Sequence, residues 1–198
     1  MLGFNFKKSI QVLNFFARKE GGSINKMKAI KLIWLADRAH LRKYGRPITN
    51  DRYYAMQYGP VPSNTKDLCE CDNIFLGEAE KKERDKYINP HHNNIKYDSL
   101  NEVNDDFFSE TDLEILDEIY EVFGKYEHYY LADNISHIFP EWKKHENEII
   151  KCGESRVEMD YEDFFENPAE GDGYFNKIDP ELLEIAKSIY KETTTLYS

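Results

Sequence analysis

Apolar residues recur at helical spacing at the start of the chain. They predict an amphipathic helix from Phe6 to Arg18, which ends at Gly21-Gly22 because glycine tolerates the left-handed backbone at a helix C-terminus. The apolar stripe of this helix is formed by Phe6, Ile10, Leu13 and Ala17. The pattern therefore predicts that this first helix packs one face against a core.

A second helix is predicted from an N-cap at Ser23 to about Lys43, with Gly45 as its stop. Apolar residues lie on two of its sides. One stripe comprises Met27, Ile30, Trp34 and Leu41, and the other comprises Ala29, Leu32, Ile33 and Ala36. A helix that is apolar on two sides packs between neighbours, so we expect it to be the buried centre of the domain.

The segment after this helix has a different pattern. Three prolines exclude a helix across residues 46–63. The aromatic run from Tyr53 to Tyr58 favours a short strand, preceded by a turn at Asn50-Asp51. Ser63 is then predicted to cap a third helix that continues to about Phe75.

Turn residues and caps organise the second half of the chain. Residues 86–97 predict a hairpin around a polar turn. Ser109, followed three residues later by Asp112, is a capping-box pattern that opens a fourth helix. Shorter helices are predicted near 130–138 and 142–152.

The end of the chain combines an acidic segment with a final helix. Glu154 to Asp172 holds eight acidic residues and one basic residue, Arg156. Asp179-Pro180 starts the last helix, with proline at the first helical position. The residues expected to face inward are Leu182, Ile185, Ala186 and Ile189.

These elements predict a mainly α fold of the α+β class, a single helical domain built around a central buried helix with a small antiparallel sheet. Residues 1–152 would form that domain. Residues 153–198 would form an acidic C-terminal extension and a final helix that pack on it.

Composition narrows the class of protein. Charged residues make up 32% of the 198 residues and mean hydropathy is -0.73, so no membrane association is expected. Three cysteines are an odd and sparse set, which favours a reducing compartment and predicts a cytoplasmic protein. Residues 1–66 carry a net charge of +10 and residues 67–198 carry -21. This asymmetry indicates a nucleic-acid face, a partner face, or two halves of one fold that neutralise each other.

Motifs for catalysis or cofactor binding are absent from the sequence. It contains no phosphate-binding glycine loop and no zinc-protease motif. Cys69 and Cys71 with His91-His92 lack the usual zinc spacing, and Ser136-His137 is a weak nucleophile–base candidate because the two are adjacent in sequence. We therefore predict no catalytic residues, no metal and no cofactor.

Asp37 falls on the buried stripe of the second helix. A carboxylate taken out of water needs a partner. Arg46 and Arg52 in the following segment are the expected partners, which predicts a buried ion pair that fastens this segment to the helix. Asp37→Ala is then expected to lower thermal stability more than Asp105→Ala.

The tyrosine-rich segment and the rigid Gly59–Pro62 sequence suit either a protein interface or a half-buried strand that covers the core. Both can hold, one for each face of the strand. The residues predicted to contact a partner here are Tyr53, Tyr54, Gln57, Tyr58, Pro60 and Val61.

The run from Lys28 to Leu68 resembles the signature of the Panacea domain, also called the SocA-like antitoxin domain. The matching elements are L-A-D-R-x-H-L-x-x-Y-G ending at Gly45, R-P-I-T, and Y-x-A-M-x-x-G-P-V-P beginning at Tyr53. A weaker S-H…P-x-W pattern begins at Ser136. The motif residues expected to hold the scaffold are Trp34, Asp37, Arg38, Arg46, Gly59, His137 and Trp142.

The resemblance implies an antitoxin that neutralises a toxin encoded by an adjacent gene through direct binding. Steric masking is the expected mechanism, and delivery of the toxin to a protease is the second. The acidic segment, with Tyr161, Phe164 and Phe165, would cover a basic active site of the toxin. The alternatives are a DNA-binding transcriptional regulator, which the net acidic charge disfavours, and a small hydrolase-type enzyme.

Overall fold

Helices make up most of the fold, and two small antiparallel sheets complete it. The structure, a computed structural model, describes residues 3–71, 74, 76–169, 173–174 and 178–196. The helices are α1 (Phe6–Lys19), α2 (Lys26–Tyr44), α3 (Ser63–Leu68), α4 (Glu78–Tyr87), α5 (Glu110–Phe123), α6 (His128–Tyr130), α7 (Pro140–Lys143) and α8 (Pro180–Leu196). The strands are β1 (Ser23–Asn25), β2 (Tyr53–Met56), β3 (Gly59–Pro62), β4 (Ile88–Pro90), β5 (Lys96–Ser99) and β6 (Val157–Glu158). The predicted fold class is confirmed.

Helix α2 lies at the centre of the core. Every residue from Lys28 to Arg42 is buried, and α1, α5, α8 and β3 pack around it. The predicted central helix is therefore confirmed, although its cap is Asn25 and not Ser23. The Asn25 side chain accepts a hydrogen bond from the backbone N–H of Met27, so the helix starts two residues later than predicted. Residues Ser23–Asn25 instead pair with β5.

The two sheets are β1-β5-β4 and β3-β2-β6. The predicted hairpin is present, with Ile88 opposite Ser99 and Pro90 opposite Tyr97. The predicted strand from Tyr53 to Tyr58 is wrong for its last two residues, because the chain reverses at residues 57–58 and returns as β3. Gly59 follows this turn with a positive φ of 91°.

Several helices differ from the pattern-based expectation. Helix α3 stops at Leu68, and Phe75, its expected end, lies outside the described residues. Helix α4 was not predicted because its charged sequence has no apolar stripe. The helix expected near 130–138 is present as short α, π and 3₁₀ segments, and that expected near 142–152 is α7 followed by a π segment at Asn147–Lys151.

The last helix packs with a different face from the one predicted. Ala186 is buried on α2, but Leu182, Ile185 and Ile189 are 59%, 51% and 44% exposed. The expectation that these three face inward is wrong, because α8 lies at the surface and packs its other face, with Leu183 and the Tyr190 ring, against the core.

Ion pairs join the basic first third of the chain to the acidic remainder. Lys8 lies 2.5 Å from Asp112, and Lys43 lies 2.7 Å from Glu114. Further pairs are Arg18–Glu102, Lys19–Asp117, Arg38–Glu141, Arg46–Asp112 and Arg52–Glu158. The charge asymmetry therefore serves, at least in these pairs, to neutralise two parts of one fold.

None of the described helices combines the length and the apolar character that crossing a bilayer needs.

Candidate partner-binding groove

One buried carboxylate fastens the β2–β3 hairpin to the central helix. Asp37 on α2 is completely buried and accepts hydrogen bonds from the backbone N–H groups of Ile48 and Thr49 at 2.8 and 2.9 Å. It also accepts from the Thr49 hydroxyl and, at 2.9 Å, from the Tyr53 hydroxyl. Desolvation outweighs these bonds and raises the pKa of Asp37 to about 6.

The predicted ion pair of Asp37 with Arg46 or Arg52 is wrong. Arg46 lies 3.0 Å from Asp112, and Arg52 lies 3.4 Å from Glu158. The turn after α2 directs two backbone N–H groups and the Thr49 hydroxyl at the carboxylate, and Tyr53 on β2 adds a second hydroxyl. These hydrogen bonds take the place of the guanidinium.

A second buried acid holds the segment that leaves the hairpin. Asp51 accepts from the backbone N–H groups of Asn64 and Thr65 at 2.9 and 2.7 Å, and so caps α3. Ser63, predicted to be this cap, is instead the first residue of the helix and follows Pro62 at the cap position. Carboxylates therefore hold the segments that enter and leave the hairpin, both at its open end, where Tyr53 pairs with Pro62.

The hairpin lies so close to its neighbours that Gly59 is required. A Cβ at this position would meet the Ser136 hydroxyl oxygen at 2.0 Å and the Lys31 Nζ at 2.9 Å. The Lys31 ammonium donates to the Pro60 carbonyl at 2.8 Å. Any side chain at Gly59 would therefore push β3 away from Ser136 and from the Lys31 ammonium.

Trp142 and His137 hold the hairpin near its tip. The Trp142 indole N–H donates to the Met56 carbonyl at 2.9 Å, and the His137 ring stacks on the indole with centroids 3.9 Å apart. Burial and then the charge of Lys31 lower the pKa of His137. The S-H…P-x-W pattern is thus a support for the hairpin tip.

A groove with a volume of about 680 Å³ lies between this hairpin and the segment after α7, and we call it the hairpin groove. Its apolar lining comprises Met27, Ile30, Met56, Val61, Ile149 and Ile150. Gln57 and Tyr58 at the hairpin tip are exposed, and Tyr58 is 47% exposed. The facing Ile150 is 54% exposed. Two large apolar side chains thus stand open on opposite walls, as at a protein-binding surface.

The polar lining of the hairpin groove comprises three lysines together with Gln57, Glu154 and Ser155. Lys26 and Lys66 both contact Glu70, at 3.3 and 2.9 Å. Lys31 is 1% exposed, and burial lowers its pKa to about 7, against the opposing influence of Asp133. The groove is therefore apolar with one poorly compensated buried cation.

Two buried arginines of α2 bind the segment that follows the groove. Arg38 pairs with Glu141 at 2.8 Å, with both side chains fully buried, and also donates to the Glu166 carbonyl at 2.5 Å. Arg42 donates to the Phe164 carbonyl at 3.1 Å and to the carbonyls that follow it. Residues 164–167 are in this way part of the packed domain.

The residues predicted to contact a partner fall into two groups. Gln57 and Tyr58 are exposed, while Tyr54 and Val61 are half-buried. The buried residues are Tyr53, Pro60, Tyr161, Phe164 and Phe165. Partner contact by these five side chains is contradicted by their burial, because the acidic segment turns its aromatic rings into the core next to Tyr53. Glu170 and Asp172, the last two acidic residues of this segment, lie outside the described residues.

The motif residues predicted to hold the scaffold lie at contacts of the core. Trp34 is fully buried and packs edge-to-face on Phe139 with ring centroids 4.9 Å apart. Arg46 bridges the Ser109 hydroxyl and Asp112, so it ties the turn after α2 to the cap of α5.

The candidate nucleophile Ser136 and the thiol of Cys69 are both buried, unlike the exposed groups of a reactive site. The Ser136 hydroxyl is buried and donates to the Ala132 carbonyl at 2.6 Å. Cys69 is buried, which raises the pKa of its thiol to about 12. The Cys71 Sγ lies 3.6 Å from the His92 Nδ1. Within the described ranges, no three His, Cys, Asp or Glu side chains converge in a way that would hold a metal ion.

Sequence reasoning missed three parts of this site. Lys31 interrupts the apolar stripes of α2 just as Asp37 does, and that interruption was the available signal. The Ile149-Ile150 pair stands out from a highly charged stretch. Glu141 carries no signal of its own, since its partner Arg38 is 103 residues away.

A family model described as antitoxin SocA-like, Panacea domain, matches residues 30–143, more than half of the chain. The chain belongs to this family. The comparisons with curated proteins and with solved structures found no match. The Panacea domain contains the hairpin and most of α2, whereas Ile149, Ile150 and the rest of the opposite groove wall follow it. A wall from within the matched region therefore faces a wall from outside it.

Proposed function

We propose that this protein is an antitoxin that neutralises a toxin protein by binding it directly in the hairpin groove. The family assignment supports the antitoxin role. The observation that carries the proposal is the groove itself, where Tyr58 and Ile150 stand exposed on facing walls of a mostly apolar surface.

Direct binding would mask the toxin sterically and needs no chemistry from this chain, so we propose a non-enzymatic role. The Panacea wall would hold the scaffold, and the wall at residues 149–155 would select the toxin. The toxin would be the product of an adjacent gene. The internal ion pairs of the basic first third argue against a nucleic-acid face there.

The test begins with tagged wild-type protein purified from its native host. A co-purifying protein is then expressed alone to establish that it is toxic, and its affinity for the purified chain is measured. Tyr58→Asp and Ile150→Asp place a charge on each wall, while Ile185→Asp places one on the exposed face of α8, outside the groove. Circular dichroism checks that all three variants fold.

We expect each groove variant to weaken binding by about thirtyfold or more, which is typical of a central interface residue, and Ile185→Asp to bind like wild type. Equal affinity of all variants would exclude the groove. A loss confined to Ile185→Asp would move the binding surface to α8.

A further inference from the structure

Lys31 is a buried cation in the hairpin groove, and its ammonium has more hydrogen-bond donors than bound acceptors. An ammonium carries three N–H donors. In the described part of the chain, that of Lys31 makes one hydrogen bond, to the Pro60 carbonyl at 2.8 Å. The lysines at the rim differ, because Lys26 and Lys66 each contact the carboxylate of Glu70.

The surroundings of Lys31 are short of negative charge. Burial lowers its pKa to about 7, and the charge of Asp133, which opposes this shift, is itself exposed. Glu154, the one carboxylate among the described lining residues of the groove, is exposed as well. His137 faces the same lysine, and its own pKa is lowered in part by the lysine charge. A buried ammonium gains most from an anion, because a charge-assisted hydrogen bond offsets its desolvation better than a neutral acceptor does.

The walls around Lys31 define the rest of the ligand. Ile30, Met56 and Ile149 present apolar surface, which favours an aliphatic or aromatic group. A phosphate fits this combination poorly, since its larger charge would be desolvated against apolar walls with one buried lysine to balance it.

We propose that the hairpin groove receives an apolar segment of the toxin that carries a carboxylate, and that the Lys31 ammonium binds this carboxylate. The inference rests on the proposed function and adds to it the chemistry of the bound segment. An aspartate, a glutamate or a C-terminal carboxylate beside a large apolar side chain supplies both parts.

The test uses two small probes that differ in one group, 4-methylpentanoate and 4-methylpentanamide. Binding to the full chain is followed by NMR of ¹³C-labelled methionine methyl groups. Met27 and Met56 line the groove and report occupancy, whereas Met159 lies outside it and serves as an internal control. The Lys31→Met variant removes the ammonium but keeps an unbranched apolar side chain.

We expect the carboxylate to shift the signals of Met27 and Met56 and to bind at least about tenfold more tightly than the amide. In Lys31→Met the two probes should bind equally. Carboxylate binding to wild type should also weaken as the pH rises above about 7, where the free lysine loses its proton, while amide binding should not change.

Equal affinity of the two probes for the wild type would overturn the inference, as would failure of both to bind or a carboxylate preference that survives in Lys31→Met. The wild-type comparison needs no variant, so a folding defect cannot obscure it. If the carboxylate binds as expected but does not compete with the toxin, the groove chemistry stands and the toxin is the wrong occupant. If Tyr58→Asp abolishes toxin binding and the probes bind equally, the proposed function stands and the role of Lys31 fails.

Discussion

The hydrogen bonds of Asp37 make its removal a sensitive test of how the hairpin is held. Asp37→Ala leaves two buried backbone N–H groups, those of Ile48 and Thr49, without their acceptor. Each such group costs about 1–3 kcal/mol, and the two hydroxyls can rotate to other acceptors. We therefore expect the free energy of unfolding to fall by about 4 kcal/mol, which lowers the Tm by roughly 8–16 °C in a chain of this size.

The pKa of Asp37 adds a pH dependence with a definite sign. Because burial raises its folded pKa from 3.8 to about 6, the folded state holds the proton more tightly than the unfolded state does. The resulting stabilisation is fully present below the unfolded pKa and is lost as the pH rises through about 6. The difference corresponds to about 3 kcal/mol.

Asp37→Asn keeps the shape of the side chain and removes this titration. Urea unfolding of wild type and variant at about pH 4 and about pH 7.5 should give stability differences that change by about 2.5 kcal/mol in favour of wild type at the acidic pH, where most of the linkage is present. Asp105→Ala, at an exposed position, is the control and should stay within about 0.5 kcal/mol of wild type. Parallel pH profiles of wild type and Asp37→Asn, or an Asp37→Ala loss no greater than that of Asp105→Ala, would refute the buried-acceptor argument.

Two further substitutions test neighbouring contacts by thermal or urea unfolding. Gly59→Ala should lower the free energy of unfolding by more than about 3 kcal/mol, because the added Cβ meets Ser136 at 2.0 Å. Gly21 also has a positive φ but has open space around it, so Gly21→Ala should cost only about 1–2 kcal/mol. Similar losses for the two variants would contradict the steric argument. Glu141→Ala should lower the free energy of unfolding by about 3–5 kcal/mol, because it removes the acid from a fully buried ion pair. Glu114→Ala breaks an exposed pair and should cost less than about 1 kcal/mol. A small loss for Glu141→Ala would show that the buried pair contributes little.

The sequence predicted those parts of the fold that have a local physical cause. Helix α2 was predicted because apolar residues on two of its sides can only be buried between neighbours. The start of α5 was predicted because Ser109 and Asp112 satisfy each other's backbone groups, and the structure contains that capping box. Helix α4 was missed because it lacks such a local signal: nothing in its charged sequence marks a buried face.

Features that depend on distant partners were not predictable in this way. The acidic neighbours of Tyr161 and Phe164 suggested an exposed surface, but a 3₁₀ helix at Tyr161–Phe165 directs the rings inward and the acids outward. That placement depends on the backbone bonds to Arg42, more than 120 residues earlier. The same holds for Asp37, whose acceptor role follows from the path of a turn and not from any nearby charge.

The candidate site was half predicted. Its hairpin wall was found from the tyrosines and prolines, because such residues combine large contact area with rigidity. Its other wall, at Ile149 and Ile150, was not found, since a pair of apolar residues in a charged stretch has no defined neighbour until the chain is folded.

Growth of cells that produce the toxic partner tests the central claim most directly. The partner is expressed with wild-type protein, with the Tyr58→Asp/Ile150→Asp double variant, or with Ile185→Asp, at matched protein levels. If the protein neutralises its toxin by binding it in the hairpin groove, wild type and Ile185→Asp restore growth and the double variant does not. Growth restored equally by the double variant would contradict the account.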